Sequence, residues 1–487
     1  MTARRFILIS AIQAFAIASA SAAAPSFRNQ VQPILTRYGC AMGACHGAAA
    51  GQGGFKLSLR GFDDDGDFLS VTRHANGRRV NLDDPARSLL LLKATAMVPH
   101  KGDKRVEAGS PEYQLLADWI AHGAPGPGAD DARITALEVD PAHLVGKAGS
   151  SQQIRVTAKF SDGRSEDVTR WAKYNGTNAA VATVDENGLV KVAGAGEGTV
   201  SAWYLSRLAV VTVSIPQEQP INEAAFASIK PRNFVDELAL EKLRELNIPP
   251  SPKCDDHDFI RRAFLDTTGV LPTAAEVSAF AADGAPDKRD KLIETLMRRP
   301  EFVDYWTYRW SDLFLVNSNR LPIPAMWSYY NWIRKHVAAN TPWDALVREL
   351  LTATGSTFEN GAGNFFLLHD EPTKLAENVS VAFLGMSIAC AKCHNHPMEK
   401  WTYDEYYAFA NLFSRVRAKN GPVKDERVIF SATEGELVQP LTGKPQAPRP
   451  LDVLTPVSMT STEDRRVPMA KWLTSADNSH FKRAVVN

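Results

Sequence analysis

The chain has 487 residues, 44% hydrophobic and 23% charged, which excludes wholesale disorder and leaves room for roughly three domains at about 150 residues each. Lys plus Arg equal Asp plus Glu at 55 each, so no basic field is available overall and nucleic acid is not an expected partner. Five cysteines are too few for a disulfide scaffold of this length.

Residues 1–24 read as an export signal. Arg4 and Arg5 precede an apolar stretch over 6–20, and Ala20-Ser21-Ala22 or Ala22-Ala23-Ala24 offers small-residue cleavage sites. That stretch is short of the ~20 residues that span a bilayer, and no later segment is long and apolar enough. The expectation is an extracytoplasmic protein, in the periplasm or cell envelope, with no transmembrane span after signal cleavage.

Residues 25–130 predict a small, mainly helical domain. Phe27, Val31, Ile34 and Leu35 recur at helical spacing, and Leu116, Trp119 and Ile120 share a face near its end. Inside it lies Cys40-Ala41-Met42-Gly43-Ala44-Cys45-His46. Cysteines five apart stand about 140° apart on a helix, so they share a side only if the segment loops out, which Gly43 could permit. A Cys40–Cys45 disulfide or a structural thiol pair is the alternative.

Residues 131–216 change character. Ile154, Val156, Ala158 and Phe160 alternate with Arg155, Thr157 and Lys159, the pattern of a half-buried strand. Further short strands at 180–184, 188–192, 199–204 and 208–215, separated by Gly and Asn turns, predict an Ig-like β-sandwich without the antibody disulfide. Residues 217–232 form a polar linker.

Helical patterns then dominate 233–418, at 234–246, 256–265, 274–282, 288–298, 302–315, 326–339, 342–351 and 375–389. Aromatic residues crowd two of these segments (Tyr305, Trp306, Tyr308 and Trp310; Trp327, Tyr329, Tyr330 and Trp332). They pack a helical core or line a sugar-binding groove. Residues 419–456 are rich in Pro and polar residues and read as a loop-rich linker. The fold class is therefore multidomain and mainly α, with an inserted all-β Ig-like sandwich.

Cys390-Ala391-Lys392-Cys393-His394 has the spacing of c-type haem attachment. On a helix, cysteines three apart lie about 60° apart, so both sulfurs can reach one porphyrin edge while the adjacent His ligates the iron. Ala376, Val379, Phe383, Met386, Cys390 and Cys393 recur at intervals of three and four, which predicts that the cysteines continue an apolar stripe into a hydrophobic pocket. A zinc site using Cys390, Cys393, His394 and His396, or a plain disulfide, are the alternatives.

The layout resembles the planctomycete-type cytochrome c proteins. Residues 39–47, 53–59, 81–93 and 119–125 resemble that group's cytochrome c-like first domain. Residues 160–171 with 181–202 are similar to its bacterial Ig-like group 2 module. Residues 259–269 with 272–273, and 390–401 with 404–407, resemble its cytochrome-associated helical domain of unknown function, and 457–487 is similar to the start of a C-terminal domain that then stops. The resemblance implies a variant haem attachment site at Cys40, Cys45 and His46. It also favours His100, in Pro99-His100, over Met97 as second iron ligand there. At the later cluster His396 reads as a hydrogen-bonding neighbour of the metal ligand, with His369 a candidate distal ligand.

The expected function is an exported electron-transfer protein carrying haem c at Cys390/Cys393/His394, and a second at Cys40/Cys45/His46. A redox partner protein is implied. Two alternatives stay open. One is an envelope adhesion or polysaccharide-binding protein with structural Cys/His clusters, whose partner is a cell-surface polysaccharide. The other is a haem-dependent oxidoreductase or peroxidase with an open distal site.

Overall fold

The structure, a computed structural model, describes residues 24–486 apart from Ala49, Ser206, Ser228, Pro397 and Met398. The export signal thus falls almost wholly outside the described residues. The chain is multidomain and mainly α-helical with an inserted all-β Ig-like region over residues 134–215. It divides into two compact units, one of residues 1–138 with 156–173 and one of residues 139–155 with 174–487. The Ig-like strands are shared out between the two.

In the first unit, Phe27, Val31, Ile34, Leu35, Leu116, Trp119 and Ile120 are all buried, as their spacing predicts. Helix Pro111–Ala121 begins on Ser110, whose hydroxyl accepts the Tyr113 N–H. Its Trp119 packs 5.6 Å from Phe27 and donates its indole N–H to the Pro125 carbonyl at 2.9 Å. Helices Asp64–Thr72 and Leu89–Ala94 close the core with Val71, Leu90 and Leu91. Strands Ile134–Asp140, Arg155–Phe160 and Ser165–Asp167 form a three-stranded sheet in that order. Val156, Ala158 and Phe160 face inward there.

In the second unit, strand Arg207–Ile215 pairs antiparallel with Gly196–Tyr204 and parallel with His143–Val145. A second sheet orders Ser151–Gln153, Leu189–Val192 and Ala182–Val184. Val190, Val200, Val211 and Val213 are fully or almost fully buried between their neighbours. The 217–232 linker is not wholly irregular: helix Glu223–Ala227 buries Phe226 beneath the Arg244 guanidinium.

The helical part of this unit has a small core of Ile260, Phe264, Phe280 and Leu296 and a large one around Phe314, Tyr329, Phe365 and Phe383. Most of the expected helices form within a few residues of their predicted ends. The aromatic segments mainly pack: Trp310 lies 4.4 Å from Trp343, which stacks on Phe314. Tyr308 and Trp327 remain exposed. Helices Arg466–Leu473 and Ser479–Val486 add Met469, Leu473 and Phe481 to the large core.

Two expectations are corrected here. Residues 419–456 hold more than loop, since strands Val416–Asn420 and Arg427–Ser431 pair as a hairpin with Ala418 opposite Ile429. Further, the helix expected over 375–389 stops at Leu384, where Gly385 at φ 65° turns the chain out. Cys390 and Cys393 therefore do not continue its apolar stripe.

Candidate functional site

Helix Gln32–Arg37 ends at Tyr38, and Gly39 at φ 79° reverses the chain. This is the left-handed position that glycine takes without a Cβ clash. The chain reversal after that helix is thus made at Gly39, whereas Gly43, where the looping-out was expected, does not take a positive φ. Residues 39–48 then run as successive turns, tied by His46 N–H to the Cys40 carbonyl at 3.0 Å and Cys45 N–H to the Met42 carbonyl at 2.9 Å. Cys40, Cys45 and His46 consequently face one cavity of about 490 Å³, within the range of cofactor sites.

Ile34, Leu35, Leu90, Val106 and Leu116 supply its apolar wall, and Arg78, Lys93 and Lys101 its cationic side. Arg105 places a guanidinium nitrogen 3.8 Å from the Cys45 sulfur. Burial pushes the Cys40 thiol up to about 11, against the opposing charge of Arg105.

His100 lines the same cavity. Its ring lies 6.3 Å from that of His46, with planes 12° apart. Each imidazole is held at Nδ1 by a backbone carbonyl, His46 by Phe55 at 3.1 Å and His100 by Asp103 at 2.8 Å. A carbonyl only accepts, so Nδ1 carries the proton in both rings and Nε2 keeps its lone pair. Burial, opposed by the Phe55 carbonyl and reinforced by His100, holds the His46 pKa below its usual value, which favours the neutral form that ligates metals. Met97, the other sulfur or nitrogen donor weighed for this position, is 71% exposed and does not line the cavity.

These residues fit a covalently held haem. Two thiols share one wall of an apolar cavity. Two imidazoles line the same cavity as the thiols, near-parallel and with centroids 6.3 Å apart.

The later cluster is built differently. Cys390 and Cys393 are exposed on the 3-10 turn Ala389–Lys392, with Cys393 N–H donating to the Cys390 carbonyl at 3.3 Å. His394 donates from Nδ1 to the Asn395 carbonyl at 2.6 Å. His396 is buried, its backbone N–H donating to the Trp401 carbonyl at 2.7 Å, and burial followed by the His394 charge lowers its pKa. His369 packs edge-on against Phe365, and its Nε2 has no hydrogen-bond partner among the described residues. This turn places both sulfurs outside the apolar core. Among the described residues, no group of three or more His, Cys, Asp or Glu side chains gathers as a metal cage.

Spacing alone ranks the late cluster first, while the geometry brings Cys40, Cys45, His46 and His100 to one cavity at the early one. Phe55 and Asp103, which orient the histidines, escape a sequence reading because backbone carbonyls leave no residue-type signal. The Gln52-Gly53-Gly54-Phe55 turn, a Gly-Gly hairpin signal, was the available clue to the first.

Residues 133–204 match the bacterial Ig-like domain (group 2), and residues 234–418 match PSCyt2, described as a protein of unknown function (DUF1549). Over 86 residues the chain is 36% identical to an S-layer-related protein of Niallia circulans, a stretch that covers 18% of this chain and 5% of that protein.

Proposed function

We propose that the chain is an exported c-type cytochrome-like protein that transfers electrons, with its principal haem held by Cys40, Cys45, His46 and His100. The observation that carries this reading is the convergence of two thiols and two near-parallel imidazoles on one cavity. A bound haem c supplies one-electron redox chemistry tuned by axial ligands, burial and nearby charge.

The chain's own residues do the rest. Cys40 and Cys45 supply the sulfurs for two thioether bonds. His46 and His100 present Nε2 because their Nδ1 protons are engaged by Phe55 and Asp103. Leu35, Leu90 and Leu116 exclude water, and the cations Arg78 and Lys101 at the rim suit the two propionate carboxylates.

The same reading takes Cys390, Cys393 and His394 as a second, more exposed attachment site, on the strength of their spacing. The partner is a redox protein that meets the chain outside the cytoplasmic membrane. Among the described residues, no helix is long and apolar enough to cross a membrane.

A second reading, envelope adhesion or polysaccharide binding, draws on the Ig-like region and the S-layer-related relative. One experiment separates the two. The chain and its C40S/C45S and C390S/C393S variants are produced with haem c maturation machinery, then haem-stained on a denaturing gel and counted by pyridine haemochrome. The expected result is a stained wild type that loses one haem in C40S/C45S. A colourless wild type overturns the cytochrome reading and leaves the binding protein.

A further inference from the structure

Arg79 is a cation only 5% exposed, and none of its hydrogen-bond partners is a carboxylate. Its guanidinium donates to the carbonyls of Ser70 at 2.9 Å, His74 at 3.0 Å and Gly54 at 2.7 Å. Its flat face lies 4.5 Å from the centroid of the Phe55 ring. Burying a charge on neutral acceptors is costly unless the fork holds several groups at once. Here it joins helix Asp64–Thr72 and the following turn to the tip of the Gln52–Phe55 hairpin turn.

That turn reaches His46 twice. Gln52 and Phe55 exchange both backbone hydrogen bonds, at 2.9 and 3.0 Å. Gly53 at φ 59° and Gly54 at φ 71° take the paired positive angles of a tight hairpin turn. The Phe55 carbonyl, already taken by Gln52 N–H, also accepts from His46 Nδ1, while the Phe55 ring packs 4.5 Å from the imidazole. Two contacts on the His46 ring thus come from one residue, and Arg79 holds that residue through the Gly54 carbonyl and the face of the Phe55 ring.

We propose that Arg79 is a positioning residue: through Phe55 it sets the direction in which His46 presents Nε2 to the cavity. The inference rests on His46 being an iron ligand. Arg79 also lines the cavity and its charge acts on His46, so R79K, which keeps the charge and loses the fork, separates the clamp from the charge.

The test uses the haem-loaded full chain with R79M, R79K, F55L and R79M/F55L, with melting temperature as the stability control. Haem per chain is expected to stay at the wild-type count. R79M should change the ferrous-to-ferric ratio at fixed ambient potential by roughly tenfold, the scale of an outer-shell ligand partner, or about 59 mV for one electron. The low-spin ferric EPR spectrum should broaden with it. R79K, a compact ammonium that cannot fork across three carbonyls, should not restore either signal. Because Arg79 acts through Phe55, the R79M and F55L shifts should fall short of additive.

Unchanged potential and EPR in R79M, or additive shifts, overturn the inference while leaving the haem reading intact. A colourless wild type overturns the haem reading instead. In that event histidine-labelled NMR of the haem-free chain still decides the positioning. His46 should hold the Nδ1–H tautomer in wild type and lose that single form in R79M, and an unchanged tautomer overturns it.

Discussion

The imidazoles of His46 and His100 lie 12° from parallel with centroids 6.3 Å apart, in rings that come from segments more than fifty residues apart in sequence. Each is held from behind by a local backbone carbonyl, so neither depends on the other for its orientation. If both ligate one iron, removing His100 opens one face and leaves the other ligand in place. In the C390S/C393S background, where this is the one haem left, ferrous H100A should therefore bind carbon monoxide, seen as a shifted Soret band, while the ferrous parent does not. Carbon monoxide binding in that parent would show an open iron and move the protein towards the oxidoreductase alternative.

Asp67 provides a pH dependence of known sign. Its carboxylate accepts from the Ser58 hydroxyl at 2.7 Å and from the Gln32 amide, beneath the turn that follows the cavity loop. Burial outweighs these hydrogen bonds and raises its pKa from 3.8 to about 6. The native state thus holds the proton more tightly than the unfolded chain. This contribution to stability is full below about pH 4 and is lost as pH rises through about 6, for a total of about 3 kcal/mol. Calorimetric melts of D67N at pH 4.5 and 7 should lack that fall, whatever its absolute stability.

Much of this was legible in the sequence, for physical reasons that differ between elements. Phe27, Val31, Ile34 and Leu35 declare a buried face because helical periodicity survives any tertiary context. The alternation from Ile154 to Phe160 does the same for a strand. The late cysteines misled because a stripe of three- and four-residue intervals persists on paper past Gly385, where the real helix has ended. The hairpin over 416–431 was missed because its strands are five residues long and half-buried or exposed, with Ile429 the one fully buried position, leaving little apolar alternation to read. His100 entered only through the resemblance. Its closeness to His46 depends on how helix Leu89–Ala94 seats against the core, which no local pattern encodes.

A second electrostatic device lies in the helical unit. Glu436 bridges two buried guanidinia, Arg415 at 2.7 Å and Arg465 at 2.6 Å, which also donate to the Met459 carbonyl. Burial alone would raise the Glu436 carboxyl, and the hydrogen bonds from Arg465 and Arg415 more than reverse it, so the group stays ionised. Removing the carboxylate leaves two buried cations facing each other. E436Q should cost about 3–5 kcal/mol of stability, read as a lowered urea midpoint with unchanged haem content. The exposed neighbour Glu434, changed to Gln, serves as the control and should move little.

The two cysteine clusters should also differ in plain thiol chemistry before any haem is attached. The thiolate is the reactive species. With a thiol pushed up to about 11 by burial, Cys40 is ionised in only roughly one part in 10³–10⁴ near pH 7.5. Cys390 and Cys393 are exposed on their turn and open to reagent. A short iodoacetamide pulse on the haem-free chain, followed by peptide mass spectrometry, should label the 390–393 peptide at least tenfold faster than the Cys40 site. The Cys40 rate should then climb about tenfold per pH unit towards pH 11. Equal labelling at neutral pH would mean that the cavity is open to solvent on the Cys40 side, and the apolar enclosure argued for that site would fall with it.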